Sequence, residues 1–139
     1  MEGAGALSLK SLWYLLGWIL IASIVYLSLT PNPPQPLEFN GVDKFEHLLA
    51  YASLMAWFSQ LQLSHRQRIR NAILFVLMGI GVEILQGMGG VRQFEYSDML
   101  ANSCGVLLGW LLSAYLGNTG LRVLDKKLSR YLLQSSSIE

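Results

Sequence analysis

The sequence is poor in charge and nearly without cysteine. Only 14% of its 139 residues are Asp, Glu, Lys or Arg, whereas a soluble domain carries about a quarter. The two signs almost cancel, to a net +1. Without a clustered basic excess, the chain lacks the footprint of a nucleic-acid surface, and no nucleic-acid partner is expected. The single cysteine, Cys104, cannot close an internal disulfide, and no CxxC pair or zinc-type Cys/His cluster accompanies it. It stands in an apolar block and reads as a small helix-packing residue. Catalytic signatures are missing as well: the chain has no nucleophile elbow, no HExxH and no P-loop.

What the sequence has is hydrocarbon, 53% of its residues, gathered into long blocks. The first, residues 12–29 (LWYLLGWILIASIVYLSL), is uncharged and long enough to span a bilayer. It is too long for a signal-peptide core and no A-x-A site follows, so it reads as an uncleaved helix. TPNPPQP ends it at residues 30–36, because proline cannot continue a helix. The second block covers 44–63, polar at its start and apolar after Leu48, and HRQRIR closes it. The third, 71–88, carries Glu83 well inside, and the fourth is 98–116. The tail, 117–139, spaces Leu121, Leu124, Leu128 and Leu132 near helical period with basic residues between them, the pattern of a short amphipathic helix on a membrane surface.

Orientation follows from the placement of Lys and Arg. With the N-terminus inside, eight of them (Lys10, Arg66, Arg68, Arg70, Arg122, Lys126, Lys127, Arg130) fall on the cytoplasmic side and two (Lys44, Arg92) outside. The expected fold is therefore all-α: one polytopic membrane domain of four transmembrane helices, both termini in the cytoplasm, ending in an amphipathic cytoplasmic helix.

In that topology three helix ends meet at the outer face, and they carry the polar residues hardest to assign to solvent. Asp43, His47 and Tyr51 climb one face of the second span at i, i+4 and i+8, with Lys44 at its border. Gly79, Glu83, Gln86 and Gly87 share a quadrant of the third, and Asp98, Asn102, Gly105 and Gly109 form a stripe on the fourth. Plainer readings exist for several. Asp43 with Glu46 fits a capping box, and Ser97 or Asp98 can cap the fourth span. Gly105-x-x-x-Gly109 fits a close helix seam with Asn102 as interhelical glue. Glu46 falls off the shared face and is left out of the site. Glu83 resists a plain reading, since a carboxylate within a span is costly and marks a functional or paired site. Its expected partners are His47, Lys44 or Arg92, because an unpaired buried carboxylate would take up a proton.

The series D-K-x-x-H-x-x-x-Y (Asp43, Lys44, His47, Tyr51), E-x-x-Q (Glu83, Gln86) and R-x-x-x-x-x-D-x-x-x-N-x-x-G-x-x-x-G (Arg92, Asp98, Asn102, Gly105, Gly109) resembles the VanZ-like family over residues 43–109. The family loop before the arginine often reads P-G-R, whereas GMGGVRQFEY stands here. The resemblance implies a bacterial inner-membrane protein with its site facing the periplasm, from a family named for a member associated with resistance to teicoplanin-type glycopeptides.

Three functions follow. In the first, the outer site binds an anionic envelope ligand (a lipid-linked wall precursor, a lipid headgroup or a glycopeptide) through Asp43, Lys44, His47, Tyr51, Glu83, Gln86, Arg92, Asp98 and Asn102, with no metal or cofactor expected. In the second, the chain is an enzyme on a lipid-linked substrate, with His47 and Glu83 as catalytic candidates. His47, Asp43, Glu83 and Asp98 would then be the donors for a divalent ion. In the third, the polar set only locks the helices, and function lies with a partner protein. Transport is disfavoured, since four short helices enclose little volume unless copies form an oligomer.

Overall fold

The computed structural model describes residues 7–31, 33–34, 39–62, 64–90, 93–117 and 119–135. Arg92, one of the expected site residues, lies outside them. The described residues form five helices: α1 (Lys10–Leu29), α2 (Val42–Leu61), α3 (His65–Met88), α4 (Tyr96–Leu116) and α5 (Thr119–Ser135). The fold is all-α, and α1, α3 and α4 are long and apolar enough to cross a membrane.

The four predicted blocks match α1 to α4, with two shifts. The HRQRIR segment, expected as a loop, is the first turns of α3; arginine is a good helix former and its stem packs while its head stays solvated. The expected caps are also replaced. The N-cap of α2 is Gly41, in the left-handed region at φ 82°, and that of α4 is Glu95; neither makes a side-chain cap hydrogen bond. Asp43 and Asp98 lie inside the first turns and are free to point elsewhere.

Helix α2 is the axis of the molecule. Tyr51, Leu54, Met55, Phe58 and Leu61 supply the largest share of the buried core, met by Trp13 and Ile24 of α1, Ala72 and Phe75 of α3, Val106 of α4 and Leu121 of α5. On the α1 side Gly17 lets the Phe58 and Trp57 rings approach, and Trp57 Nε1 donates to the Trp13 carbonyl at 3.1 Å. The other helices turn large apolar side chains outward: Trp18, Ile73, Leu77, Leu107 and Leu111 are all more than half exposed. In water that surface would be untenable; against lipid it costs nothing.

The tightest contact is between α2 and α4. A Cβ on Gly105 would overlap the Leu48 carbonyl oxygen, and one on Gly109 that of Ala52. One turn further, Ser113 Oγ lies 3.5 Å from the Ala56 carbonyl, a separation of 57 residues. The two glycine contacts keep that same offset, so α2 and α4 run parallel with their registers locked. α3 is the antiparallel return between them. The predicted small-residue seam is therefore the packing surface of the bundle, with backbone against backbone.

α5 closes the opposite end. Its Leu121 N–H donates to Gln60 Oε1 at 2.8 Å. Asp125, only 4% exposed, accepts from the Ser8 and Leu9 backbone N–H groups at 2.7 and 2.9 Å and from Trp13 Nε1 at 2.7 Å. It thus caps the first turn of α1 from 112 or more positions along the chain, where the helix dipole favours an anion. Burial pushes the Asp125 carboxyl up, but the Trp13 and backbone donors outweigh it and leave it below the ordinary carboxylate value. The stretch expected to lie on a membrane surface therefore anchors one face, Leu121 and Asp125, on the helix bundle.

Three substitutions test this packing. Gly109→Ala should force α2 and α4 apart at a cost of about 1–3 kcal/mol, read as a lowered melting temperature in detergent. Gly81→Ala, where an added Cβ meets nothing within 4 Å, should be neutral or slightly stabilising, as alanine is the better helix former. Asp125→Ala should cost on the order of 2–3 kcal/mol by orphaning three donors. Because the Asp125 carboxyl is held low, its contribution is full above the ordinary carboxylate pKa and lost as pH falls through the depressed one. The gap between wild type and variant in thermal melts should therefore close only in strong acid.

Candidate functional site

The first turns of α2 and α4 begin at the same end of the parallel pair, and the last turns of α3 reach that end from below. Lys44 Nζ is the centre of the resulting cluster. It lies 2.9 Å from Asp43 Oδ2, 2.8 Å from Glu95 Oε2 and 3.3 Å from Asp98 Oδ1. One ammonium is thus shared among three carboxylates, leaving a net negative cluster. Oxygens of the same three residues lie within 4.8 Å of one another, close enough to share a metal ion; Lys44 is the cation in contact with all of them. The ammonium, helped by the Ser97 hydroxyl at 3.0 Å, holds the exposed Glu95 carboxyl below the ordinary glutamate range.

Deeper in, His47 and Asn102 join α2 to α4. His47 Nδ1 is 3.0 Å from Asn102 Oδ1; since that oxygen only accepts, the proton of this bond sits on Nδ1. His47 Nε2 then faces Asp98 Oδ2 at 3.8 Å, too far for a hydrogen bond and close enough for an ion pair once the ring is protonated. Asn102 fits because α3 presents Gly79 to it, where a Cβ would stand 3.1 Å from Asn102 Nδ2. A turn further along α3, Glu83 is 1% exposed. Its Oε1 accepts the Glu95 backbone N–H at 2.7 Å, and Tyr51 of α2 is fully buried.

The expected convergence of Asp43, Lys44, His47, Asp98 and Asn102 is found, with Glu83 and Tyr51 below them. Three expectations change. Glu83 is expected to pair with His47, Lys44 or Arg92, whereas among the described residues its partner is a backbone amide; the loop ahead of α4 turns back over the end of α3 and delivers that N–H. Gln86 leaves the cluster and donates to the Ser28 carbonyl at the end of α1. Glu46, set aside on helical phase, lines a cavity together with Asp43 and His47, because it lies only about 60° round the helix from Asp43.

Sequence reasoning missed Glu95. The available signal was its i, i+3 spacing to Asp98 in EYSD, which puts both carboxylates at one helix entrance. Four members of the set are left incomplete: among the described residues Tyr51 Oη, Glu83 Oε2, Asp98 Oδ1 and Asn102 Nδ2 are buried and meet no hydrogen-bond partner, although Lys44 ion-pairs with that Asp98 oxygen. An unmade hydrogen bond at a buried polar atom costs about 1–3 kcal/mol, so the set is not what stability alone would select.

Compared with protein-family models, curated proteins and solved structures, the chain matches none.

Removing the central cation should expose the electrostatics. Lys44→Ala leaves Asp43, Glu95 and Asp98 repelling one another, which raises their affinity for protons. Its melting temperature should fall by a few degrees at pH 8 and recover toward wild type only as the pH is lowered to about 3, below the ordinary carboxylate range, where the wild-type carboxylates that Lys44 holds low protonate too. An equal deficit at both pH values would mean that Lys44 acts through packing.

Proposed function

We propose that this chain is a VanZ-like protein of the bacterial inner membrane, with α1 to α4 all spanning, both termini cytoplasmic and the Lys44 cluster at the outer face. There it binds an anionic group of an envelope ligand: a lipid-linked wall precursor, a lipid headgroup or a glycopeptide. α2 spans despite its polar entrance because, beyond its first two turns, it is the central helix and is mostly buried by its neighbours. The order of the motifs from Asp43 to Gly109 supports the family assignment, and the distribution of Lys and Arg supports the orientation.

The observation that carries the binding reading is the incomplete buried set at one end of an apolar bundle. Ionisable groups at membrane depth are retained where a ligand or ion path needs them. A purely structural lock would have satisfied its own donors and acceptors. Of the partners around Lys44, Glu95 is the most exposed at 45% and Asp98 the least at 6%. An incoming phosphate or carboxylate would therefore exchange with Glu95, while Asp98 keeps the ammonium in place. Arg92, three residues before Glu95, would add a bidentate donor.

A second reading has one observation in its favour. An imidazole fixed through Nδ1 by Asn102, with Nε2 turned to a carboxylate, has the form of an oriented acid/base. An enzyme on a lipid-linked substrate would use it so.

Binding of phosphate-bearing lipids to purified protein, followed by native mass spectrometry, tests the first reading. Lys44→Ala and Arg92→Ala should each weaken it about tenfold, and teicoplanin-type susceptibility of expressing cells should shift in parallel. Unchanged binding and susceptibility in both variants would remove the proposal, whereas turnover lost in His47→Ala with binding intact would favour the enzyme. Single cysteines at Phe39 and Ser64, in a Cys104→Ser background, should react with an impermeant maleimide from opposite sides of the membrane.

A further inference from the structure

Beside the Lys44 cluster a cavity of about 300 Å³ opens between the end of α1 and the first turns of α2. That is the lower end of the range for small-molecule sites. Its walls are hydrocarbon: Ile24 and Leu27 of α1, Leu49 of α2, and the Pro33–Pro34 pair between the helices. Leu27 and Leu49 are 43% and 52% exposed, so the cavity opens on the same outward surface as the lipid-facing side chains. Its polar end is built by Asp43, Glu46 and His47. The described lining holds two carboxylates and neither lysine nor arginine.

These carboxylates are not equivalent. Asp43 is engaged with Lys44, which leans away toward α4. Among the described residues the Glu46 Oε1 atom is buried without a partner. A desolvated carboxylate oxygen calls for a donor, best a cationic one, and among the described residues the chain does not supply it. His47 is committed through Nδ1 to Asn102. The missing donor must come with whatever fills the hydrocarbon walls.

We propose that the α1/α2 cavity takes a membrane lipid whose headgroup carries a primary ammonium, held by Glu46 with Asp43 beside it, while the first part of an acyl chain lies along Ile24, Leu27 and Leu49. The inference deepens the binding reading above and rests on it, because Asp43 borders both the cavity and the Lys44 cluster. A phosphate arriving alone would add negative charge to a site already rich in carboxylates. A zwitterionic headgroup removes the difficulty: its phosphate meets Lys44 in exchange for Glu95, and its ammonium meets Glu46. The amine discriminates and the phosphate anchors, so the two can be separated by experiment.

The test uses the full-length protein in detergent, titrated with dioleoyl phosphatidylethanolamine, its N-acetylated derivative and dioleoyl phosphatidylglycerol, with binding read by native mass spectrometry. Wild type should prefer the free amine over both other lipids by about tenfold. Glu46→Gln should abolish that preference without weakening the binding of phosphatidylglycerol, since one carboxylate facing its phosphate is neutralised. Lys44→Ala should weaken all three lipids alike and keep their order. Leu27→Trp, at the exposed edge of the cavity, should lower occupancy by every lipid and serves as the second probe should Glu46→Gln fail to fold. Equal binding of the free and acetylated amine by wild type, or a preference that survives Glu46→Gln, overturns the proposal. If the amine preference depends on Glu46 but Lys44→Ala changes nothing, the anionic reading of the outer site fails and the amine site stands.

Discussion

Backbone-to-backbone contact between α2 and α4 is the constraint on which the other features depend. Gly105 and Gly109 meet the Leu48 and Ala52 carbonyls with no room for a Cβ. Side-chain packing tolerates a rotamer change, whereas a carbonyl pressed against a glycine Cα does not slide. Two parallel helices held in this way share one register, so their polar first turns arrive side by side. Lys44 reaches Asp98, and His47 reaches Asn102, because the seam below fixes the depth of both helices.

That arrangement concentrates electrostatic cost at one end. Buried carboxylates and amides are affordable in an apolar bundle only with compensation, and it arrives unevenly. Lys44 neutralises part of three carboxylates, a loop amide satisfies half of Glu83, and several atoms receive nothing from the described residues. The other end shows what complete compensation looks like. There Asp125 is as buried as Asp98, yet it accepts three hydrogen bonds and caps a helix. One buried aspartate is architecture; the other stands in a site whose bonding is unfinished. The contrast within a single chain is what sets the Lys44 cluster apart from a purely structural one.

Much of the fold could be read from spacing because membrane-type helices are written locally. A run of apolar residues ended by TPNPPQP is a helix wherever it is placed, and the blocks at 12–29, 44–63, 71–88 and 98–116 match α1 to α4 closely. The site was partly legible for the same reason: i, i+4 spacing sorted Asp43, His47 and Tyr51 onto one face. Helical phase failed where a side chain is long and lies at the edge of a face, as Glu46 does. It also failed where the partner is backbone, as for Glu83, since amides carry no sequence signal. Glu95 and Asp125 were missed as partners because each acts across more than 50 positions of chain.

By itself the sequence determined an all-helical chain of lipid-compatible segments with polar groups gathered at three helix ends, because periodicity and apolar length are local properties. Only the tertiary structure decided which polar groups touch. It gave Lys44 to three carboxylates, Glu83 to a loop amide, Gln86 to α1 and Asp125 to the start of the chain. It also left Glu46 facing an open cavity. Those choices depend on the relative depth and rotation of packed helices, which the α2–α4 seam sets and no single helix encodes.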